Sequence, residues 1–294
     1  MPGMHNPPAR APFIETYWTS PDGLRLYARV YESERAGAAT VLCLHGLTRN
    51  SRDFEDLAPH LQARFRVIVP DMRGRGLSAW DPNPQNYQPA IYVQDILGLM
   101  DAAGVSQAIV IGTSLGGLLA MMMGVGYRAR VAGIVLNDIG PEADPKGIDR
   151  IKSYAGRLPP PKDWSDAVAQ TRSMFADAWP NLSMERWSTI AHRAYREDAS
   201  GAIHVDADPM IGEMLRAAPT ATATLWPFWS VLRGIPMLAI RGERSDILSA
   251  ATFARMRTEN PELVQLEVPL RGHVPLLDEP ECLAAIDRFV ALHS

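Results

Sequence analysis

The sequence predicts an α/β fold: a mostly parallel sheet with helices on both faces, plus an inserted helical lid. Three observations carry this expectation. Short apolar runs at 40–44, 65–69, 108–111 and 131–136 alternate with stretches of helical spacing, the pattern of strands buried on both faces and joined by crossover helices. The alternation stops between Glu142 and Arg233 and resumes at 235–240 and 264–268. The chain has 294 residues, more than the roughly 200 that a core of this class needs, so the surplus reads as an insertion.

Taken in order, residues 1–12 carry four prolines and no apolar stretch, so a secretory leader is not expected. Residues 13–31 read as two strands around Pro21-Asp22-Gly23, a turn tripeptide. The run at 40–44 ends at His45-Gly46, and a helical stretch follows over 51–62. The strand at 65–69 runs into Pro70-Asp71, and residues 92–103 show helical spacing at Ile96, Leu99 and Met100. Strands at 108–111 and 131–136 enclose a helix over 115–126. Right-handed crossovers put the C-terminal ends of such strands on one edge of the sheet, where sites form.

Residues 142–233 hold eight prolines, helical stretches at 164–175 and 184–196, no convincing strand, and five of the seven tryptophans. A helix over 281–292 closes the chain. The expected organisation is therefore a core of residues 1–141 and 234–294 with a lid at 142–233.

Composition narrows the function. The formal charge is 29 − 33 = −4, and only Lys146, Lys152 and Lys162 are lysines. No basic block tracks a phosphate backbone, so nucleic acid is not an expected partner; a small, roughly neutral molecule is. Residues 102–127 contain no charge and meet the hydropathy criterion for a membrane span. The glycine-rich turn in their middle divides them into a strand and a helix, each buried, and no span is expected. Cys43 and Cys282 lie far apart and read as buried free thiols, which fits a cytoplasmic protein.

Gly112-Thr-Ser-Leu-Gly116 follows an apolar strand directly and precedes a helix directly. A nucleophile on such a turn sits in a strained backbone conformation, and the flanking glycines let the turn pass close to neighbouring chain. Ser114 would then stand at a helix N-terminus, where partial positive charge favours an anion.

A hydroxyl needs a base in hydrogen-bond reach and a group to orient that base. Among seven histidines, His273 lies in a loop after the last strand and before the final helix. His45, beside Gly46, suits a structural role, while His5, His60 and His293 fall in an arm, a helix and a tail. His192 and His204 show no metal-ligand spacing, so no zinc site is expected. Two acids compete for the orienting position. Asp246 follows the penultimate strand and completes the order Ser, Asp, His, which makes it the expected acid. Asp138, after the strand that follows the nucleophile helix, is the alternative; otherwise it holds the loop into the insertion.

With His45-Gly46-Leu47-Thr48, the stretch Asp71-Met-Arg-Gly-Arg-Gly-Leu-Ser78, the Ser114 turn, the Asp246 loop and Arg271-Gly-His273 in place, the sequence resembles the α/β-hydrolase family over residues 13–292, apart from the insertion. The resemblance implies backbone N–H donors to an oxyanion at Leu47 and Leu115, a scaffolding role for residues 71–78, and no cofactor. Ser rather than Asp at the nucleophile position argues against an alkyl-enzyme ester of the dehalogenase or epoxide-hydrolase kind. The implied activity is hydrolysis of a carboxylic ester, lactone or thioester of a small to medium apolar substrate. Two alternatives keep the same fold: hydrolysis of a carbon–carbon bond in a ring-cleavage product, with Arg49, Arg172 or Arg193 as its carboxylate partner, and a ligand-binding receptor.

The insertion then covers Ser114. Its aromatics, Trp164, Phe175, Trp179, Trp187, Trp226, Phe228 and Trp229, line an apolar pocket or form the lid's own core, with the second reading weighing more. Trp226, Phe228 and Trp229 are the cluster first expected to touch substrate.

Overall fold

The computed structural model describes residues 13–218 and 224–294. The proline-rich arm, with His5, and residues 219–223 lie outside the described residues. Strands β1 (Ile14–Thr19), β2 (Arg25–Tyr31), β3 (Thr40–Leu44), β4 (Arg66–Asp71), β5 (Ala108–Thr113) and β6 (Val131–Asn137) precede the insertion. Within it lie β7 (Tyr195–Glu197) and β8 (Ile203–Val205), and after it β9 (Met237–Gly242) and β10 (Val264–Val268). Eight of these form one sheet in the order β1-β2-β4-β3-β5-β6-β9-β10. The hairpin β1–β2 and the β2–β4 pair are antiparallel, and every other pair in this sheet is parallel.

Alternation along the strands explains the two covered faces. On β3, Leu42 and Leu44 point to one side, into a core with α2 (Pro89–Ala102), α3 (Leu115–Gly126) and α9 (Ala250–Glu259). Val41 and Cys43 point to the other, against α1 (Leu57–Gln62) and α10 (Pro280–Leu292). A period of two with both sets apolar is what a doubly covered sheet requires. The uncharged run at 102–127 resolves into β5, a turn and α3. Among the described residues, no helix is long and apolar enough to cross a membrane.

Between β6 and β9 stand α4 (Pro145–Tyr154), α5 (Trp164–Phe175), α6 (Met184–Ala194), the β7–β8 hairpin, α7 (Met210–Ala217) and the single turn α8 (Trp226–Trp229). Side chains cap the first three: Asp144, Asp163 and Ser183 accept from the backbone N–H of Lys146, Asp166 and Arg186. Each such cap is worth about 1 kcal/mol. The hairpin corrects the expectation of a strand-free insertion. Its strands of three residues are too short to show a period of two. The expected helix over 51–62 is likewise two pieces, a 3₁₀ turn at Ser51–Phe54 and then α1. Asn50 caps the first piece by accepting from Arg52 N–H, and buried Asp71 accepts from Ser51 N–H at 2.6 Å.

The insertion meets the sheet edge through polar contacts. Gly272 N–H donates to the Ala178 carbonyl at 2.7 Å, and Trp179 Nε1 donates to the Val274 carbonyl at 2.6 Å. Arg193 of α6 reaches Asp56 through Nη1 and Nη2 at 2.8 and 2.9 Å.

Candidate active site

β5 delivers Ser114 to the sheet edge with φ 51° and ψ −113°. A non-glycine residue in that region costs about 1–3 kcal/mol and persists only where its surroundings hold it. Close packing does so here. A Cβ on Gly112 would stand 2.3 Å from Gly116 backbone, and one on Gly116 would stand 2.1 Å from the Leu44 carbonyl oxygen. The turn thus closes on itself and on β3 with no room for side chains. Ser114 N–H donates to the Asn137 carbonyl at 3.0 Å, locking the turn to β6 as well.

His273 Nε2 lies 3.0 Å from Ser114 Oγ, and Nδ1 lies 2.8 Å from Asp138 Oδ2. A carboxylate only accepts, so Nδ1 carries the proton and Nε2 is left to accept from the Ser114 hydroxyl. Asp138 follows β6 directly, is fully buried, and has φ 58°. Its other contacts fix the carboxylate: Gly242 N–H donates to Oδ1 at 2.8 Å and Ser245 Oγ donates to Oδ2 at 2.5 Å.

The expectation that Asp246 orients the histidine is therefore corrected, and the alternative, Asp138, stands at the imidazole. Asp246 turns toward the insertion, where Arg150 of α4 binds it at 2.5 and 2.8 Å. Burial opposes the Asp246 charge, but Arg150 prevails and holds its carboxyl below the ordinary range. Ser245, which sequence reasoning missed, sits one residue earlier in the same loop; its only signal was that neighbourhood.

Leu47 lines the same cavity as Ser114 and His273, and Leu115 opens α3, where the first backbone N–H groups have no acceptor within the helix. His45 shapes the loop that carries Leu47. Its Nδ1 donates to the Gly46 carbonyl at 2.8 Å while Nε2 accepts from Met72 N–H at 3.0 Å. Burial, aided by the Arg75 charge, pushes its pKa down to about 3, so it is a neutral strut. Arg75 Nε donates to the Leu47 carbonyl at 2.9 Å. The rest of the 71–78 stretch is scaffold: Arg73 is buried and bonds Asp95 at 2.7 and 2.6 Å and Asp81 at 2.5 Å.

The cavity over Ser114 holds about 110 Å³, with Phe54, Ile151, Phe175, Trp179, Ile190 and Leu276 among its apolar lining. A second cavity of about 270 Å³ under the insertion shares Thr48, Arg49, Tyr154 and Phe175 with it. Burial opposes the Arg49 charge, and Asp53 overrides this, holding the guanidinium above its usual range. Trp226, Phe228 and Trp229 line neither cavity, which corrects the expectation that this cluster touches substrate. Trp226 donates to Glu142 at 2.7 Å, Trp229 is buried against the Met256 carbonyl, and half-exposed Phe228 lies in a groove with Met121 and Val125. The reason is positional. By residue 226 the chain is returning to β9, so these rings pack on the flanks of α3 and α9, away from the strand ends. Among the described residues, no group of three or more His, Cys, Asp or Glu is arranged to hold a metal ion.

The arrangement can remove a proton from Ser114 Oγ, hold it on an oriented imidazole, and deliver it to a leaving group. Comparison with known proteins agrees with a hydrolase. A family model described as the alpha/beta hydrolase family matches residues 41–286. The 3-hydroxybutyrate-oligomer hydrolase of Cupriavidus necator is 30% identical over 279 residues, covering 92% of this chain and 94% of its own. The 2-(acetamidomethylene)succinate hydrolase of Mesorhizobium japonicum is 27% identical over 258 residues, covering 87% and 90%. The crystal structure of an alpha/beta hydrolase from Novosphingobium aromaticivorans superposes with a TM-score of 0.90 at 42% identity, over 96% of this chain and 99% of that one.

Proposed function

Since this chain belongs to the alpha/beta hydrolase family, we propose that it is a cofactor-free serine hydrolase cleaving a carboxylic ester, with lactones and thioesters as chemical variants, through an acyl-enzyme. The observation that carries the reading is the continuous relay from Ser114 Oγ to His273 at 3.0 Å and from His273 to Asp138 at 2.8 Å. Ser114 attacks the carbonyl as Nε2 takes its proton. Leu47 and Leu115 N–H receive the oxyanion, each donor worth about 3–4 kcal/mol in the transition state. The imidazolium, steadied by Asp138, returns the proton to the leaving alcohol. Water then attacks the acyl group with His273 again as base, and Ser114 is regenerated. The relative named for 3-hydroxybutyrate oligomers supports ester as the bond class, since such oligomers are polyesters. The buried free thiols Cys43 and Cys282 fit a cytoplasmic protein.

Two measurements test this. A fluorophosphonate probe is expected to label Ser114 stoichiometrically, and a panel of esters graded by acyl and alcohol size is expected to turn over. Ser114→Ala should abolish labelling and lower kcat by roughly six powers of ten. Turnover near the wild-type rate in that variant overturns the assignment. Labelling without turnover of any ester favours a binding protein on the same fold.

A further inference from the structure

The wall of the cavity beside Ser114 carries three guanidinium groups, Arg49, Arg186 and Arg193, and one carboxylate, Asp53. The acids that offset Arg186 and Arg193 stand outside that lining: Glu55 and Asp56 bind Arg193, and Asp56 and Asp278 bind Arg186. A ligand in the cavity thus meets these cations, while their acidic partners are not part of its wall. In a partly enclosed, low-dielectric space that arrangement sets the sign of the local field.

Of the three, Arg49 is the one whose stem is placed against the Gly46 loop beside the reacting group, and it keeps one nitrogen free. A Cβ on Gly46 would stand 3.5 Å from Arg49 Cγ and 4.0 Å from the carbonyl of Thr113, so the Arg49 stem passes next to the Ser114 turn. Its Nε and Nη2 are both spent on Asp53, at 2.9 and 2.5 Å. Among the described residues no acceptor bonds Nη1. Asp53 therefore fixes the plane of the guanidinium and leaves one edge of it unused. Arg49 also lines the second cavity, at its junction with the first.

We propose that the ester cleaved here bears a free carboxylate a few bonds from the scissile carbonyl, and that Arg49 binds that carboxylate through Nη1 and so selects the substrate class. The proposal rests on the ester-hydrolase reading and replaces the neutral ligand expected from composition with an anionic one. Arg193, with Nε, Nη1 and Nη2 all bonded to Glu55 and Asp56, contributes field rather than contact, and Arg186, which holds Asp56 and Asp278 through Nη2 alone, adds to the same positive field. A guanidinium preset by Asp53 loses little freedom on binding, and its charge-assisted bonds to a carboxylate are of the strong kind.

Two matched pairs of substrates test it, one on each side of the scissile bond. The first is 4-nitrophenyl hydrogen succinate against 4-nitrophenyl butyrate; the second is 3-butyryloxybutyric acid against its primary amide. Wild type is expected to favour the charged member of at least one pair by 10-fold or more in kcat/KM. Arg49→Gln should reduce that preference by about 10- to 100-fold. Because the preference is a ratio within one preparation, partial misfolding of the variant does not alter it. Arg49→Lys, which keeps charge without the planar fork, should give an intermediate ratio. No preference in either pair, or a ratio unchanged in Arg49→Gln, overturns the carboxylate proposal and leaves the ester reading standing. Failure of wild type to turn over any of the four esters, with no labelling of Ser114, overturns both.

Discussion

At the scale of single residues, the acid of the proposed triad is chosen by where its carboxylate is held. Asp138 receives Gly242 N–H, Ser245 Oγ–H and His273 Nδ1–H, whereas Asp246 is occupied by Arg150. Asp138→Asn is expected to lower kcat by about four powers of ten, because an amide at that position favours the wrong imidazole tautomer. Asp246→Asn should change kcat far less and, the pair being partly exposed, cost under about 1 kcal/mol of stability. Steady-state kinetics of the two variants on one ester decide the matter; equal losses would refute the distinction. Ser114 and His273, which the structure brings within 3.0 Å of each other, could be proposed from sequence because the strand–turn–helix setting of the one and the terminal loop of the other are local patterns. The choice between two aspartates could not be made there. Both follow strands at the same edge, and what separates them is the φ of 58° at Asp138 together with a backbone N–H contributed 104 positions later, neither of which leaves a trace in local sequence.

Among the elements, α3 and β3 show how tightly the Ser114 turn is framed. Gly116→Ala would drive a methyl into the Leu44 backbone, 2.1 Å from its oxygen, and backbone cannot swing aside as a side chain does. The helix must retreat, so we expect a loss of about 1–3 kcal/mol and a slower reaction of Ser114 with fluorophosphonate in the folded protein. Gly126→Ala, at the other end of α3 and with nothing within 4 Å of the new methyl, is the control: stability unchanged or raised by up to about 1 kcal/mol. Thermal melts of both variants check the pair. The inner strands β3, β5, β6 and β9 were readable because each carries a short apolar run, as burial on two faces demands, whereas the edge strands β1 and β10 mix polar and apolar residues. Inside the insertion the same logic failed twice. The β7–β8 strands are too short to show periodicity, and aromatic content identified apolar surface without saying which cavity it faces. Phe175 and Trp179 line the site, while the more conspicuous Trp226-Pro-Phe-Trp229 cluster packs behind it.

For the molecule as a whole, the response to acid should carry the signature of His45. Its ordinary value is 6.5, and burial, with Arg75, holds it near 3 in the fold. Between those values the unfolded chain binds a proton there and the native protein does not. The stability this group contributes is therefore complete above pH 6.5 and is lost as pH falls toward 3, by about 2–3 kcal/mol at pH 4.5. Asp71 and Asp95, whose carboxyls burial pushes up, act with the opposite sign. Urea midpoints of wild type and His45→Gln between pH 7 and 4.5 isolate the histidine: the wild-type slope should be the steeper, and parallel slopes would contradict the assignment. The hydrogen bonds from Gly272 to Ala178 and from Trp179 to Val274 bracket His273 on both sides, so the histidine loop and the insertion are tied together although the chain places them nearly a hundred residues apart. A chimera that exchanges the insertion with that of a relative keeps these clamps only where the new segment offers a carbonyl in place of that of Ala178 and a side-chain donor in place of Trp179.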